Sequence, residues 1–220
     1  MARLGTLVTA LNALGIDPGE LWKGSWRWYA ETMLGCCVDL DEIKRDGIPW
    51  APWCCLARCQ GLDVDAVRAQ DSSIVAFREA VAAVCANDDR VLCVSYSRQP
   101  LGQAGDGHYS PIGAYLAASD MVLIMDVARF KHPPHWVPLA CLWEAMGRPD
   151  KVTGRSRGYA VLSRPFRPPA GGSIRLTVGR GRLLAVQRHF GSDHAGADSN
   201  DRSGSGDAEP AALSAPFRGV

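Results

Sequence analysis

What this chain lacks narrows its class before any motif is read. It has no charge excess: 24 Lys and Arg against 23 Asp and Glu leave a formal +1 over 220 residues. That balance argues against an electrostatic nucleic-acid binder and against a polybasic membrane surface. No apolar run approaches the roughly 18 residues that a membrane span needs. The N-terminal stretch MARLGTLVTALNALGID has Arg3 as its only early charge and no small-residue cleavage site after its apolar part, so it does not read as a secretory signal. No internal repeat is visible, no cysteine follows Cys141, and from Gly191 to Ala211 there is no aromatic or β-branched residue. These absences point to a soluble cytoplasmic protein with neither nucleic acid nor membrane as partner.

The chain is otherwise rich enough to fold. At 47% hydrophobic residues it can bury a core, and its length suits one domain with an appendage. Eight cysteines are present: Cys36, Cys37, Cys54, Cys55, Cys59, Cys85, Cys93 and Cys141. Their apolar neighbours and two vicinal pairs suit reduced thiols, most of them expected to act as small buried hydrophobes. The other reading is a metal site. Cys55 and Cys59 stand i, i+4 and would share a helix face, with Cys54 or the Cys36–Cys37 pair nearby. Soft thiolates suit Cd, Zn or Cu(I), although CCxxxC lacks the second paired arm of a structural zinc motif.

Periodicity places helices first and strands second. Leu4, Leu7, Leu11 and Leu14 make one apolar helix face, stopped by Gly15 and Asp17-Pro18-Gly19. A Trp-rich segment follows, whose second half reads as a helix ending at Gly47. Residues 70–85 read as a helix that Ser72 or Ser73 can cap. RVLCVSYS, HYSPIGAYL and MVLIMDVARF are strand-like, the last two joined by Ala117–Asp120 as a hairpin loop. Residues 138–147 read as a short helix and GYAVLSRP as a closing strand. The order is that of an α+β fold. We expect a domain over 1–165 and a Gly/Arg-rich tail over 166–220, largely disordered after 190, with a marginal strand or two between 173 and 190. Trp22, Trp26, Trp28, Trp136 and Trp143 are expected in core and rim packing rather than as a stacking platform.

Among five histidines, His108 differs by opening a strand, and Asp126 ends the apolar run on the next one. A hairpin would bring them within a few rungs. From spacing alone the pair is either a base with its orienting carboxylate or a structural contact.

The strings GHYSPIGAY, VLIMDVARFKHPPHWVPLACLWEAM and TGRSRGYAVLSRP closely resemble the catalytic domain of phytochelatin synthase, as do LNALGIDPGELWKGSWRWYAETMLGCC and CLARCQG upstream. The resemblance runs from Leu4 to Pro165, 162 of 220 residues. It implies a papain-like fold and an acyltransferase that moves γ-glutamylcysteine from glutathione onto glutathione or a growing phytochelatin, serving heavy-metal detoxification. It implies His108 as catalytic base, Asp126 as its orienter, and Arg98, Arg129 and Lys131 as holders of glutathione carboxylates. No tightly bound cofactor is implied. Cadmium or another soft ion acts as activator in its glutathione thiolate complex. Glutathione and phytochelatin peptides are then the partners, with a homodimer left open.

One position departs from the pattern. Counted back without gaps, the family's nucleophilic cysteine falls on Ala2, and the family's preceding segment, with its oxyanion-hole glutamine, has no counterpart here. A methyl group cannot attack a carbonyl. The chain as written is therefore expected to be inactive unless extended upstream, and an incomplete gene model is the favoured expectation. The alternative is an inactive homologue that binds glutathione or metal thiolates.

Overall fold

The computed structural model describes residues 2–165 and, beyond them, only a short pairing of two strands. The chain divides into two units, Met1–Arg167 and Pro168–Val220. In the second, Thr177–Val178 pairs antiparallel with Arg182–Leu183. The expected tail, including the stretch after 190 read as disordered, otherwise lies outside the described residues.

The first unit is α+β. Helices α1 (Ala2–Ala13), α2 (Leu40–Asp46) and α3 (Trp50–Cys59) precede strand β1 (Asp63–Arg68). Helix α4 (Ile74–Cys85), strands β2 (Arg90–Tyr96), β3 (His108–Leu116), β4 (Met121–Ile124) and β5 (His135–Pro138), helix α5 (Leu139–Gly147) and strand β6 (Gly158–Ser163) follow. All neighbouring strands run antiparallel, in the order β1-β6-β2-β3-β4-β5. Strand β6, last in sequence among the six, thus fills the gap between β1 and β2. Among the described residues no helix is long and apolar enough to cross a membrane.

Local chemistry accounts for the boundaries. Asp39 accepts the Asp41 and Glu42 N–H groups at the start of α2, and Gly47 ends it at φ +82°, where only glycine is free of strain. Ser73 rather than Ser72 caps α4, accepting the Ala76 N–H. Two elements escape the periodicity. Strand β1 (DVDAVR) is a polar edge strand with no buried residue, and β5 (HWVP) is an opposite edge of four residues that ends in proline. Strand β1 alternates only over Asp63–Ala66 and β5 is too short to show a pattern, and β1 interrupts the expected order of helices first, strands second.

Helices cover both faces of the sheet, giving two cores. Leu4, Leu7, Leu11 and Leu14 of the α1 segment pack with Trp53 and Leu56 of α3 on Cys93, Tyr109, Ala160 and Leu162. Phe77 and Val81 of α4 and Leu139 and Leu142 of α5 pack on Leu92, Val94, Ile112, Ile124 and Tyr159. Alternation along β2 and β6 sends neighbouring residues to opposite cores.

The cysteine and tryptophan expectations need correcting. Only Cys54 and Cys93 are buried; Cys36, Cys37, Cys55, Cys59 and Cys85 are exposed. Helix α3 turns Trp50, Trp53, Cys54, Leu56 and Ala57 inward, which leaves Cys55 and Cys59 on its other side. The buried tryptophans are Trp50 and Trp53, stacked at 5.8 Å, whereas Trp22, Trp26, Trp28 and Trp136 are each more than two-fifths exposed.

Candidate active site

A β-bulge brings His108 and Asp126 together. Strands β3 and β4 pair in register from Leu116 back to Ala114, then shift between Ala114 and Ile112. Gly113 stands at this irregularity, where a side chain would run into Met125. Strand β4 ends at Ile124, and the Met125 N–H reaches the Pro111 carbonyl at 2.9 Å. Asp126 therefore lies just past the strand, and its Oδ1 meets His108 Nε2 at 2.9 Å. The same Oδ1 accepts the Ala128 N–H at 2.8 Å, and Oδ2 accepts Arg98 Nη2 at 2.6 Å.

The pair is interior: His108 is 6% exposed and Asp126 1%. Burial alone would raise the Asp126 pKa, but hydrogen bonds from His108, the Ala128 N–H and Arg98 outweigh it and hold the carboxyl well below its usual range. For His108, burial is the largest influence and lowers the pKa below the usual 6.5. The Asp126 bond opposes that shift, and Arg98 and Arg3 add to it. An ionised carboxylate only accepts, so the neutral imidazole carries its proton on Nε2. Nδ1 is left as the basic nitrogen.

Two clefts flank the pair. One, of about 280 Å³, is lined by His108, Gly107, Gly47, Arg3 and the Ile43–Asp46 stretch. The other, of about 290 Å³, is lined by Asp126, Arg129, Met125 and residues of α1, among them Gly5 and Thr9. Helix α1 is anchored here at its start: Thr6 Oγ1 donates to the Tyr109 carbonyl at 2.7 Å, and the Arg3 carbonyl accepts Trp53 Nε1 at 3.0 Å. The first turn of α1 thereby lies against the start of β3, and Arg3 shares a cleft with His108.

The basic residues singled out from sequence part company. Arg98 is buried and committed to protein, bonding Asp126 and Gln103. Arg129 is exposed at the cleft beside Asp126. Lys131 is exposed, its ammonium 5.9 Å from the exposed Phe130 ring. Of the five cysteines considered as ligands, three converge: the Sγ atoms of Cys36, Cys37 and Cys59 all lie within 4.8 Å of one another. Cys54 is buried in the core, where desolvation pushes its thiol up to about 11, and Cys55 is outside the cluster.

Sequence reasoning missed the polar groups that support the pair. Gln103 Nε2 lies 2.9 Å from His135 Nε2 and links that ring through Arg98 to Asp126. Asp106 accepts the Gly107 N–H and Arg157 Nη2, both at 2.9 Å, and fixes the turn leading into His108. Arg157 is itself 2% exposed. No signal in the string GRSRGY separates this buried arginine from the exposed Arg155 beside it.

The fold and site together define an α+β protein with a buried histidine–aspartate pair near the start of a helix. Comparison with known proteins supplies the family. The family model described as phytochelatin synthase matches residues 2–159, and the chain belongs to that family. It is 52% identical over 175 residues to glutathione gamma-glutamylcysteinyltransferase 3 of Lotus japonicus, covering 80% of this chain and 36% of that protein. It is 49% identical over 166 residues to glutathione gamma-glutamylcysteinyltransferase 1 of Arabidopsis thaliana, covering 76% and 34%. With the glutathione gamma-glutamylcysteinyltransferase of Schizosaccharomyces pombe it shares 45% over 176 residues, covering 80% and 42%. The matches thus span about a third to two-fifths of the length of these curated relatives.

Proposed function

We propose that residues 1–165 carry the histidine–aspartate part of a papain-like acyl-transfer centre acting on glutathione. The observation that carries this reading is the buried His108–Asp126 bond of 2.9 Å beside the first turn of α1. Asp126 holds the imidazole by Nε2, so Nδ1 takes a proton from a thiol and later returns it to the leaving group. A thiolate formed at the start of α1 is favoured by the helix N-terminus and by the nearby imidazolium. It attacks the carbonyl of the Cys–Gly amide, glycine leaves, and the γ-glutamylcysteinyl thioester passes to the amine of a second glutathione or of a phytochelatin. Cadmium enters as the thiolate complex of the acceptor, as substrate, and the chemistry uses no resident metal. Arg129, at the cleft beside Asp126, and Lys131 hold substrate carboxylates, while Arg98 acts through Asp126. The names of the relatives and the family match support this reading; the setting is the cytoplasm.

Ala2 stands where the family's cysteine falls, and this favours a second reading, a homologue that binds glutathione or its metal complex without reacting. One variant separates them. Ala2→Cys, given glutathione and cadmium, is expected to release glycine and to gain the mass of a γ-glutamylcysteinyl group, whereas Ala2→Cys/His108→Ala does neither. If Ala2→Cys stays unmodified while calorimetry shows glutathione binding, the binding reading replaces the transferase.

A further inference from the structure

Arg3 is a cation that the acyl-transfer reading leaves unused, and it lines the cleft of His108. Its guanidinium is held in place. Nη1 donates to the Ile48 carbonyl at 3.1 Å, and a side chain at Gly47 would run into the same group. The guanidinium carbon also lies 5.9 Å from the centre of the Tyr109 ring. A Cβ at Gly107 would stand 3.3 Å from Arg3 Nη2 and 3.5 Å from Arg157 Nη2, so two guanidinium groups converge on this glycine. Their charges are not balanced alike. Asp106 accepts Arg157 at 2.9 Å, Lys44 is paired with Asp41, and Arg45 is paired with Asp46. Among the described residues Arg3 has no carboxylate partner. Its charge reaches His108, whose pKa it helps to lower. A fixed guanidinium without a counter-ion, in the same cleft as a base, offers paired N–H donors to a carboxylate.

We infer that Arg3 holds the carboxylate of the leaving glycine, so that the cleft of Arg3 and His108 takes the C-terminal end of glutathione. This rests on the acyl-transfer reading and assigns its leaving-group side. Glutathione carries one carboxylate on its γ-glutamyl residue and one on glycine, and two clefts flank the His108–Asp126 pair. Arg129 lines the cleft that reaches Asp126, and Arg3 lines the one that reaches His108. The amide nitrogen that takes the proton from His108 is one methylene from the glycine carboxylate, about 2.5 Å from its carbon. A cation that shares a cleft with the base therefore meets the leaving end, since the γ-glutamyl carboxylate is many bonds further away. The consequence is specificity: a residue with a free C-terminal carboxylate is released, and a mid-chain amide offers Arg3 no charge.

The test compares glutathione with its C-terminal amide, in which glycine ends in an uncharged carboxamide, by calorimetry on the full chain. The parent should bind glutathione about tenfold or more tightly than the amide, as expected of a hydrogen bond to a charged group. Arg3→Gln should bind both ligands as weakly as the parent binds the amide, and Arg3→Lys should restore part of the preference. In the Ala2→Cys background, glycine should be released from glutathione faster than glycinamide from the amide, and adding Arg3→Gln should remove that difference. Equal binding of the two ligands by the parent, or a preference that survives Arg3→Gln, overturns the assignment and leaves glutathione as the ligand. Binding of neither ligand overturns the assignment and the glutathione reading together. The parent comparison decides the matter even where Arg3→Gln fails to fold.

Discussion

At the scale of single residues, Asp126 is the group on which the site depends. Its carboxylate is the shared acceptor for His108, the Ala128 N–H and Arg98, with no exposed side-chain surface of its own. Asp126→Ala leaves the Arg98 guanidinium buried and unpaired, and we expect a loss of about 3–5 kcal/mol in unfolding free energy by urea denaturation. The titration of His108 gives a second expectation. Its folded pKa is lowered below 6.5, so the unfolded chain binds the proton more readily, and stability falls as pH drops below about 6.5. Asp126 is also lowered, from 3.8, and its contribution is present above that value and lost below it. His108→Gln, which still donates to Asp126, should flatten the stability curve between pH 6.5 and 4 and leave the steeper loss below 3.8. Denaturation midpoints across that range decide the matter; an unchanged slope in the variant would place the titrating group elsewhere.

At the scale of elements, the sheet depends on one close approach. Gly158 opens β6 opposite Arg68 of β1 and Ser95 of β2, and a side chain there would strike the Val67 carbonyl and the Arg68 Cα. Strand β1 has no buried residue of its own and is held mainly by this pairing. Gly158→Ala should push β1 outward, at a cost of roughly 1–3 kcal/mol. Amide exchange should quicken at 63–68 while β3 and β4 keep their protection, and uniform protection across the sheet would count against this view.

For the folded unit as a whole, the sheet separates two cores that share strands but not helices. Leu7 lies in one and Leu142 in the other, both fully buried. Replacing either by Ala should cost about 2–5 kcal/mol. The double variant should lose the sum to within about 0.5 kcal/mol, since the sites share no partner. Denaturation of the two single variants and the double variant measures this, and a larger deviation would mean that the cores communicate through the sheet.

Much of this molecule is determined by sequence alone. The leucine spacing of α1, a serine cap at 72 or 73, the stop at Gly47 and the short Val-rich run of β2 each rest on forces between near neighbours, which a linear string records. The candidate pair His108 and Asp126 was legible for the same reason, because a short loop joins their strands. Strands β1 and β5 were not, since edge strands owe their form to partners distant in sequence rather than to apolar alternation. Only the tertiary structure decided what the charged and sulfur-bearing residues do. By resemblance Arg98 is grouped with Arg129 and Lys131 as a substrate-facing cation, until the chain folds it onto Asp126, 28 residues away. Of five cysteines with similar neighbours, helix phase sends Cys54 into the core, and the segment before α2 brings Cys36 and Cys37 to Cys59 at the end of α3, at one exposed point. Burial and charge pairing are properties of three-dimensional neighbours, and sequence spacing does not carry them.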